Sequence, residues 1–251
     1  MKTIWTDEYL ASSYEVDAQG KLSLPSLAKF MQETAYNHAN HLDFGYEHLK
    51  KLNHFWVLSR LQIKMDRYPK WTEKILLRTW PSVIDNLLAY REFQILDESG
   101  QLMGVAGSAW LMLDWEKRRP QRTTLLQEKL LQFPKERVTE EPPAKLPNLT
   151  HSQDSPSFPV RYSDLDLYEH VNNARYMQWI VDSYAAEIHK TFEIGSFEIN
   201  FLSESRLGDD IFIQTEELAE SETKVSRLHC VRRVGDDRAV CLARLGWKKR
   251  K

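Results

Sequence analysis

Apolar residues along this chain of 251 residues fall into two periodicities that alternate twice. In "SLPSLAKFMQETAYNHANHL", Leu24, Leu27, Ala28, Met31, Ala35, Ala39 and Leu42 recur at helical spacing, with Ser23 and Pro25 as start signals. Strand-like runs follow: "WVLSRLQIKM", "KILLRTW", "AYREFQIL" and "LMGVAGSAWLML", the last two flanking the turn sequence "DESGQ". The second half repeats this order. Met177, Ile180, Val181, Tyr184 and Ile188 form a helical stripe, and "SFEINFL", "DDIFIQTEEL", "KVSRLHCVRRV" and "AVCLARLGW" predict four strands, the last two flanking "GDD".

The strands of the two halves register on a shift of 137 residues, which carries Trp110 onto Trp247 and sets Arg67 opposite Glu204. The helices need a shift of 146, Phe30 onto Tyr176, which assigns about nine extra residues to the loop holding "FGYEHLKKLNH". Between the halves, "FPKERVTEEPPAKLPNLTHSQDSPSFP" has neither period and is rich in proline and polar residues, so it reads as an extended linker. The expected organisation is an N-terminal unit over 1–133, a linker over 134–159 and a C-terminal unit over 160–251. A helix followed by an antiparallel sheet, twice over, is an α+β chain.

A formal net charge of −2 points away from a nucleic-acid binder. The start, "MKTIWTDEYLASSYEVD", lacks the apolar core of a signal peptide, and no stretch approaches the ~18 apolar residues of a membrane span. The two cysteines, Cys230 and Cys241, lie in strand-like runs without metal-ligand spacing and read as buried reduced thiols. The expectation is a cytoplasmic protein with no membrane or nucleic-acid partner.

The chemistry gathers in "DLDLYEHVNNARYMQW", from Asp164 to Trp179. Its polar groups sit just before a helix that begins at Asn172 or Asn173, whose free N–H groups and dipole favour an oxyanion. Asp164 reads as a loop-forming acid that bonds backbone N–H groups.

"RYSDLD" and "HVNNARYMQWIVD" closely resemble the signature of the acyl-acyl-carrier-protein (acyl-ACP) thioesterase family of plants and bacteria. "WVLSRLQIKMDRYPKW", "RTWP", "SAWLMLDWEKRRPQR" and "EINFLSESRLGDD" look like further blocks of that family, in its order and over nearly the whole chain. The resemblance implies a tandem double hotdog, each unit a sheet wrapped around a central helix. It also implies hydrolysis of the thioester between a fatty acyl chain and the phosphopantetheine arm of acyl carrier protein, with no metal and no organic cofactor.

By the same resemblance, Asp166 matches the general base or nucleophile, and His170 the histidine that orients water or protonates the leaving thiolate. Glu204 matches an acid on a second-half strand, which shares water activation or positions His170. Asn172 and Asn173 would present the oxyanion donors from their backbone. Tyr168 stands where plant members carry asparagine, and a phenol cannot copy the geometry of an amide. Ser205 stands where plant members carry cysteine, which counts against a thiol nucleophile. The family's first hotdog lines the acyl pocket, making Met31, Thr34, Ala35 and Trp56 candidates there.

The partner implied is acyl carrier protein, carrying the fatty acyl thioester. Two basic runs, Lys117, Arg118, Arg119 and Arg122, and Lys248, Lys249, Arg250 and Lys251, are candidate docking surfaces for an acidic partner. An acyl-CoA thioesterase and a non-enzymatic acyl-thioester-binding regulator are the competing readings. A single self-sufficient chain and a homodimer both stay open.

Overall fold

A computed structural model describes residues 2–85, 87–123 and 133–250. The chain divides into two compact units, Met1–Ala144 and Lys145–Lys251. In the first, β1 (Trp5–Leu10) precedes helices α1 (Leu24–His41) and α2 (Tyr46–Lys51). Four long strands follow, β2 (His54–Met65), β3 (Lys74–Asp85), β4 (Leu88–Asp97) and β5 (Leu102–Asp114), with a two-residue strand β6 (Pro120–Gln121) paired to β5. They form an antiparallel sheet in the order β1-β3-β4-β5-β2.

Helix α1 starts as the sequence signals demand. The Ser23 hydroxyl accepts from the Ser26 N–H, and Pro25 sits in the first turn. Leu24, Leu27, Ala28, Met31 and Ala35 form its buried stripe, and the helix lies against β1 and β3.

The second unit begins with two-residue strands β7 (Gln153–Asp154) and β8 (Phe158–Pro159), then a single 3-10 turn, Tyr162–Asp164. Helices α3 (Asn173–Asp182) and α4 (Ala186–Thr191) lead into β9 (Phe192–Phe201), β10 (Asp210–Glu220), β11 (Lys224–Arg233) and β12 (Ala239–Lys249). The sheet order is β9-β12-β11-β10-β7, which repeats the connectivity β2-β5-β4-β3-β1 of the first unit. Each unit therefore has one plan, a long helix and an antiparallel sheet, and the chain is an α+β double hotdog.

Four differences from the sequence pattern have physical causes. Strand β1 alternates half-buried and exposed residues and is an edge strand, so its apolar signal is weak. Strand β3 runs on past Pro81, which sits beside an irregularity in the β3–β4 register where a missing N–H is tolerated. The stripe from Met177 to Ile188 is split between two helices. The Ser183 hydroxyl donates to the Ile180 carbonyl and closes α3 there, while Tyr184, outside the helix, is still buried. Finally, α1 has 18 residues against 10 in α3, so the extra length of the first half lies largely in the helix and not in the loop after it.

The segment between the halves is pinned along its course. The Trp80 indole N–H donates to the Glu136 carbonyl, and the Val138 N–H donates to the buried carboxylate of Glu92. Further on, the Leu146 N–H donates to Asn200, Thr150 bonds Glu216, and β7 and β8 pair with β10.

Candidate active site

Residues 164–172 form a tight loop closed by an isolated bridge between Leu165 and Val171. The Asp166 N–H donates to the His170 carbonyl at 2.8 Å, and Asp166 Oδ1 accepts from the N–H groups of Tyr168 at 2.8 Å and His170 at 3.4 Å. Glu169 takes the left-handed backbone conformation, φ 61°, that the turn requires. Asp164 is buried, and its Oδ2 accepts from the Arg161 N–H. The Asn172 side chain caps α3 by accepting from the Ala174 N–H at 2.9 Å, and its carbonyl accepts from the Arg175 N–H. Among the described residues nothing accepts from the Asn173 N–H, which makes it the helix-start donor available to a ligand.

A second loop, residues 202–209, faces the first. Its Ser205 carbonyl accepts from the Val171 N–H at 2.9 Å, and the Ser205 N–H donates to the Tyr176 hydroxyl of α3. Burial pushes that phenol well above its ordinary range. Arg233 donates to the Glu204 carbonyl, and the Arg206 N–H donates to Asp209. Strand β9 ends at Phe201, so Glu204 sits on this loop and not on a strand as expected. The result is a close pair, with His170 Nε2 3.1 Å from Glu204 Oε2. Arg206 Nη2 lies 3.1 Å from the same nitrogen.

The fold thus brings His170 and Glu204 into contact and ties Asp166 to His170 through the backbone. Among the described residues no group bonds Asp166 Oδ2. Tyr168 is half exposed. Arg206 escaped the sequence reading, although it stands two residues beyond Glu204 in the quoted "FLSESRLGDD". Among the described residues no three His, Cys, Asp or Glu side chains converge as a metal ion would need.

The first unit carries the same backbone scaffold. Asp17 Oδ1 accepts from the N–H groups of Gln19 at 2.8 Å and Lys21 at 3.1 Å, and the Asp17 N–H donates to the Lys21 carbonyl. Glu15 accepts from the Ser12 N–H as Asp164 does from Arg161, and Ser23 caps α1 as Asn172 caps α3. The Leu22 N–H donates to Pro69, as Val171 does to Ser205. This register corrects the sequence alignment: Asp17 corresponds to Asp166, a shift of 149, and Tyr68 rather than Arg67 stands at the place of Glu204. Arg67 instead pairs with Glu73 and Asp97 at 2.9 Å each. Lys21 and Lys70 take the places of His170 and Arg206. The scaffold is duplicated; the imidazole–carboxylate pair is not.

A family model described as the acyl-ACP thioesterase N-terminal domain matches residues 2–127, and one described as its C-terminal domain matches residues 148–249. The chain belongs to the acyl-ACP thioesterase family. It is 27% identical over 236 residues to the chloroplastic oleoyl-acyl carrier protein thioesterase 2 of Arabidopsis thaliana, covering 87% of this chain and 63% of that protein. The chain therefore spans somewhat less than two thirds of that relative's length. It also resembles a solved acyl-ACP thioesterase from Bacteroides thetaiotaomicron, at 28% identity and a TM-score of 0.88 over 98% of both chains. The 12:0-ACP thioesterase of Umbellularia californica shares the fold, with a TM-score of 0.85 at 23% identity over 99% of this chain and 97% of that one.

In this member of the acyl-ACP thioesterase family the acyl-pocket candidates do not form one wall. Met31 lines a shallow apolar cleft with Leu58, Leu61, Phe93, Ser108 and Trp110. Thr34 is buried elsewhere, bonded to the Tyr9 hydroxyl, while the Trp56 indole donates to the Phe44 carbonyl and packs on Leu42, Phe44 and Phe133. Ala35 is buried in α1. Both cysteines are free and buried, and burial pushes their thiols up, so neither is poised as a nucleophile.

The basic runs differ in character. Lys117, Arg118, Arg119 and Arg122 are exposed. In the other run Lys248 lies 3.8 Å from Glu193, and the Arg250 guanidinium donates to the carbonyls of His189 and Phe192. Lys251 lies outside the described residues. Lys249 pairs with Phe192, the first residue of β9, whereas Glu204 lies three residues beyond Phe201, the last, so this run is at the other end of that strand from the Glu204 loop.

Proposed function

We propose that this chain hydrolyses the thioester of acyl-ACP, releasing a free fatty acid and the pantetheine thiol. The observation that carries the reading is the contact of 3.1 Å between His170 and Glu204, placed beside Asp166 in a chain that both family models match. Asp166 has a carboxylate oxygen, Oδ2, to take a proton from the attacking water while Oδ1 holds the loop. The N–H of Asn173 at the start of α3 meets the developing oxyanion, helped by the helix dipole. His170, oriented by Glu204, gives its Nε2 proton to the departing thiolate, and the proton that Asp166 took from water replaces it through solvent. A thiolate is a good leaving group, so this last assistance is modest. The first unit, with Met31 lining its cleft, holds the acyl chain, and the second unit carries the chemistry.

The partner in this reading is acyl carrier protein, and the location is the cytoplasm. Among the described residues no helix is long and apolar enough to cross a membrane. The test is purified protein on matched acyl-ACP and acyl-CoA, with released fatty acids followed by mass spectrometry. The expected outcome is turnover of both, with the larger kcat/KM for acyl-ACP. Preference for acyl-CoA would replace the donor, and binding without release of acid would replace the hydrolase by an acyl-thioester sensor.

A further inference from the structure

His170 Nε2 has two neighbours at the same distance that make opposite demands on it. Glu204 Oε2, at 3.1 Å, accepts a hydrogen bond only if that nitrogen carries a proton. Arg206 Nη2, also at 3.1 Å, only donates, because a guanidinium does not give up its proton, and so needs a bare Nε2. Among the described residues no carboxylate pairs with the Arg206 guanidinium. Unit charges of opposite sign at equal distance oppose each other to first order whatever the local dielectric.

We propose that Arg206 is a positioning residue that offsets Glu204 across Nε2 of His170, leaving the imidazole free to change protonation within a turnover. With Glu204 alone the imidazolium would be stabilised. With Arg206 alone the ring would be held neutral, with no acceptor for an Nε2 proton. Other charged groups of these loops and of α3 have bonds of their own, Asp166 through Oδ1 alone, and none of them is altered in the variants compared below. Asp166 bonds the loop amides, Asp209 holds the Arg206 N–H and lies 3.5 Å from Arg233, and Arg175 of α3 bonds Ser163 and lies 3.6 Å from Asp164. The first unit sharpens the contrast, since the same scaffold there carries Lys21 and Lys70 with Tyr68 in the place of the acid.

This inference rests on the hydrolase reading for its meaning, but its test needs no substrate. The ring carbon of His170 is titrated by NMR in the unaltered protein, Arg206→Gln, Glu204→Gln and the double variant. Arg206→Gln should raise the titration midpoint by about half to one pH unit, and Glu204→Gln should lower it by about as much, given partial solvent screening. The double variant should return close to the starting midpoint. The alkaline limb of kcat should move up with the Arg206→Gln titration, because His170 acts in its protonated form, while KM for a short acyl-pantetheine thioester changes less than about twofold. An unmoved midpoint in Arg206→Gln, a double variant that does not return, or a change confined to KM would each overturn the proposal. If the unaltered protein releases no fatty acid while the midpoints shift as stated, the hydrolase reading fails and this inference stands.

Discussion

Asp166 does at least one thing that has nothing to do with chemistry. Its Oδ1 holds the loop amides, and Asp17 does the same in the first unit, where the following residue of interest is Lys21 and not a histidine. Asparagine keeps an acceptor oxygen at that position but removes the charge, so it separates folding from catalysis. Asp166→Asn should lower kcat by at least ~10² with the melting temperature nearly unchanged, whereas Asp17→Asn should leave kcat intact. Equal activity in the two variants would reduce Asp166 to a turn former. The residue types of the candidate site came from the family motif. The twin of Asp166 was not legible in the sequence, because "EVDAQGKLS" and "DLDLYEHVN" share spacing and backbone hydrogen bonds but few side chains.

At the scale of elements, the start of α3 fixes both loops. Asn172 bonds the Ala174 N–H with its side chain and the Asp164 carbonyl with its own N–H, so the cap couples the helix to the loop that presents His170. Asn172→Ala should cost about 1 kcal/mol, which for a chain of this size lowers the melting temperature by roughly 2–4 °C; Asn172→Ser should recover most of it. Calorimetry on the two variants checks this, and an equal loss in both would show that the amide's shape, not its capping oxygen, matters. The helix start was readable because capping is local chemistry. Its end at Asp182 was not, since the apolar stripe continues through Tyr184, Ser183 keeps a helical backbone, and the chain is extended only at Ala185.

At the scale of the whole molecule, two histidines, His38 and His229, are buried with no carboxylate partner among the described residues. His229 lies between the Tyr184 hydroxyl at 2.8 Å and the Thr215 hydroxyl at 3.0 Å, and burial lowers its pKa to about 3. His38 is lowered to about 4 by burial and then by the nearby Arg91 guanidinium. Both stay neutral in the fold, while in the unfolded chain they take up protons near the ordinary imidazole value of 6.5. Stability is therefore fully present above that value and drains as pH falls towards 4 and 3. The slope for each group approaches ~1.4 kcal/mol per pH unit. Urea titrations between about pH 7 and 5 should show the loss, and His229→Gln should flatten it. Stability independent of pH over that range would mean these rings are not held neutral.

The sequence by itself determined the two helix-and-sheet plans and the start of each long helix, and it supplied the residue types of the candidate site. All of these follow from periodicity, capping and turn chemistry within a few residues, or from a motif that is continuous in the chain. Tertiary structure alone decided which side chains meet. His170 and Glu204 are 34 residues apart, and their contact exists because Val171 bonds Ser205 and Tyr176 bonds the same residue from the other side. Arg206 enters for the same reason. A charge on an exposed loop has no periodicity to betray it, and its role appears only when the fold sets its guanidinium against the imidazole.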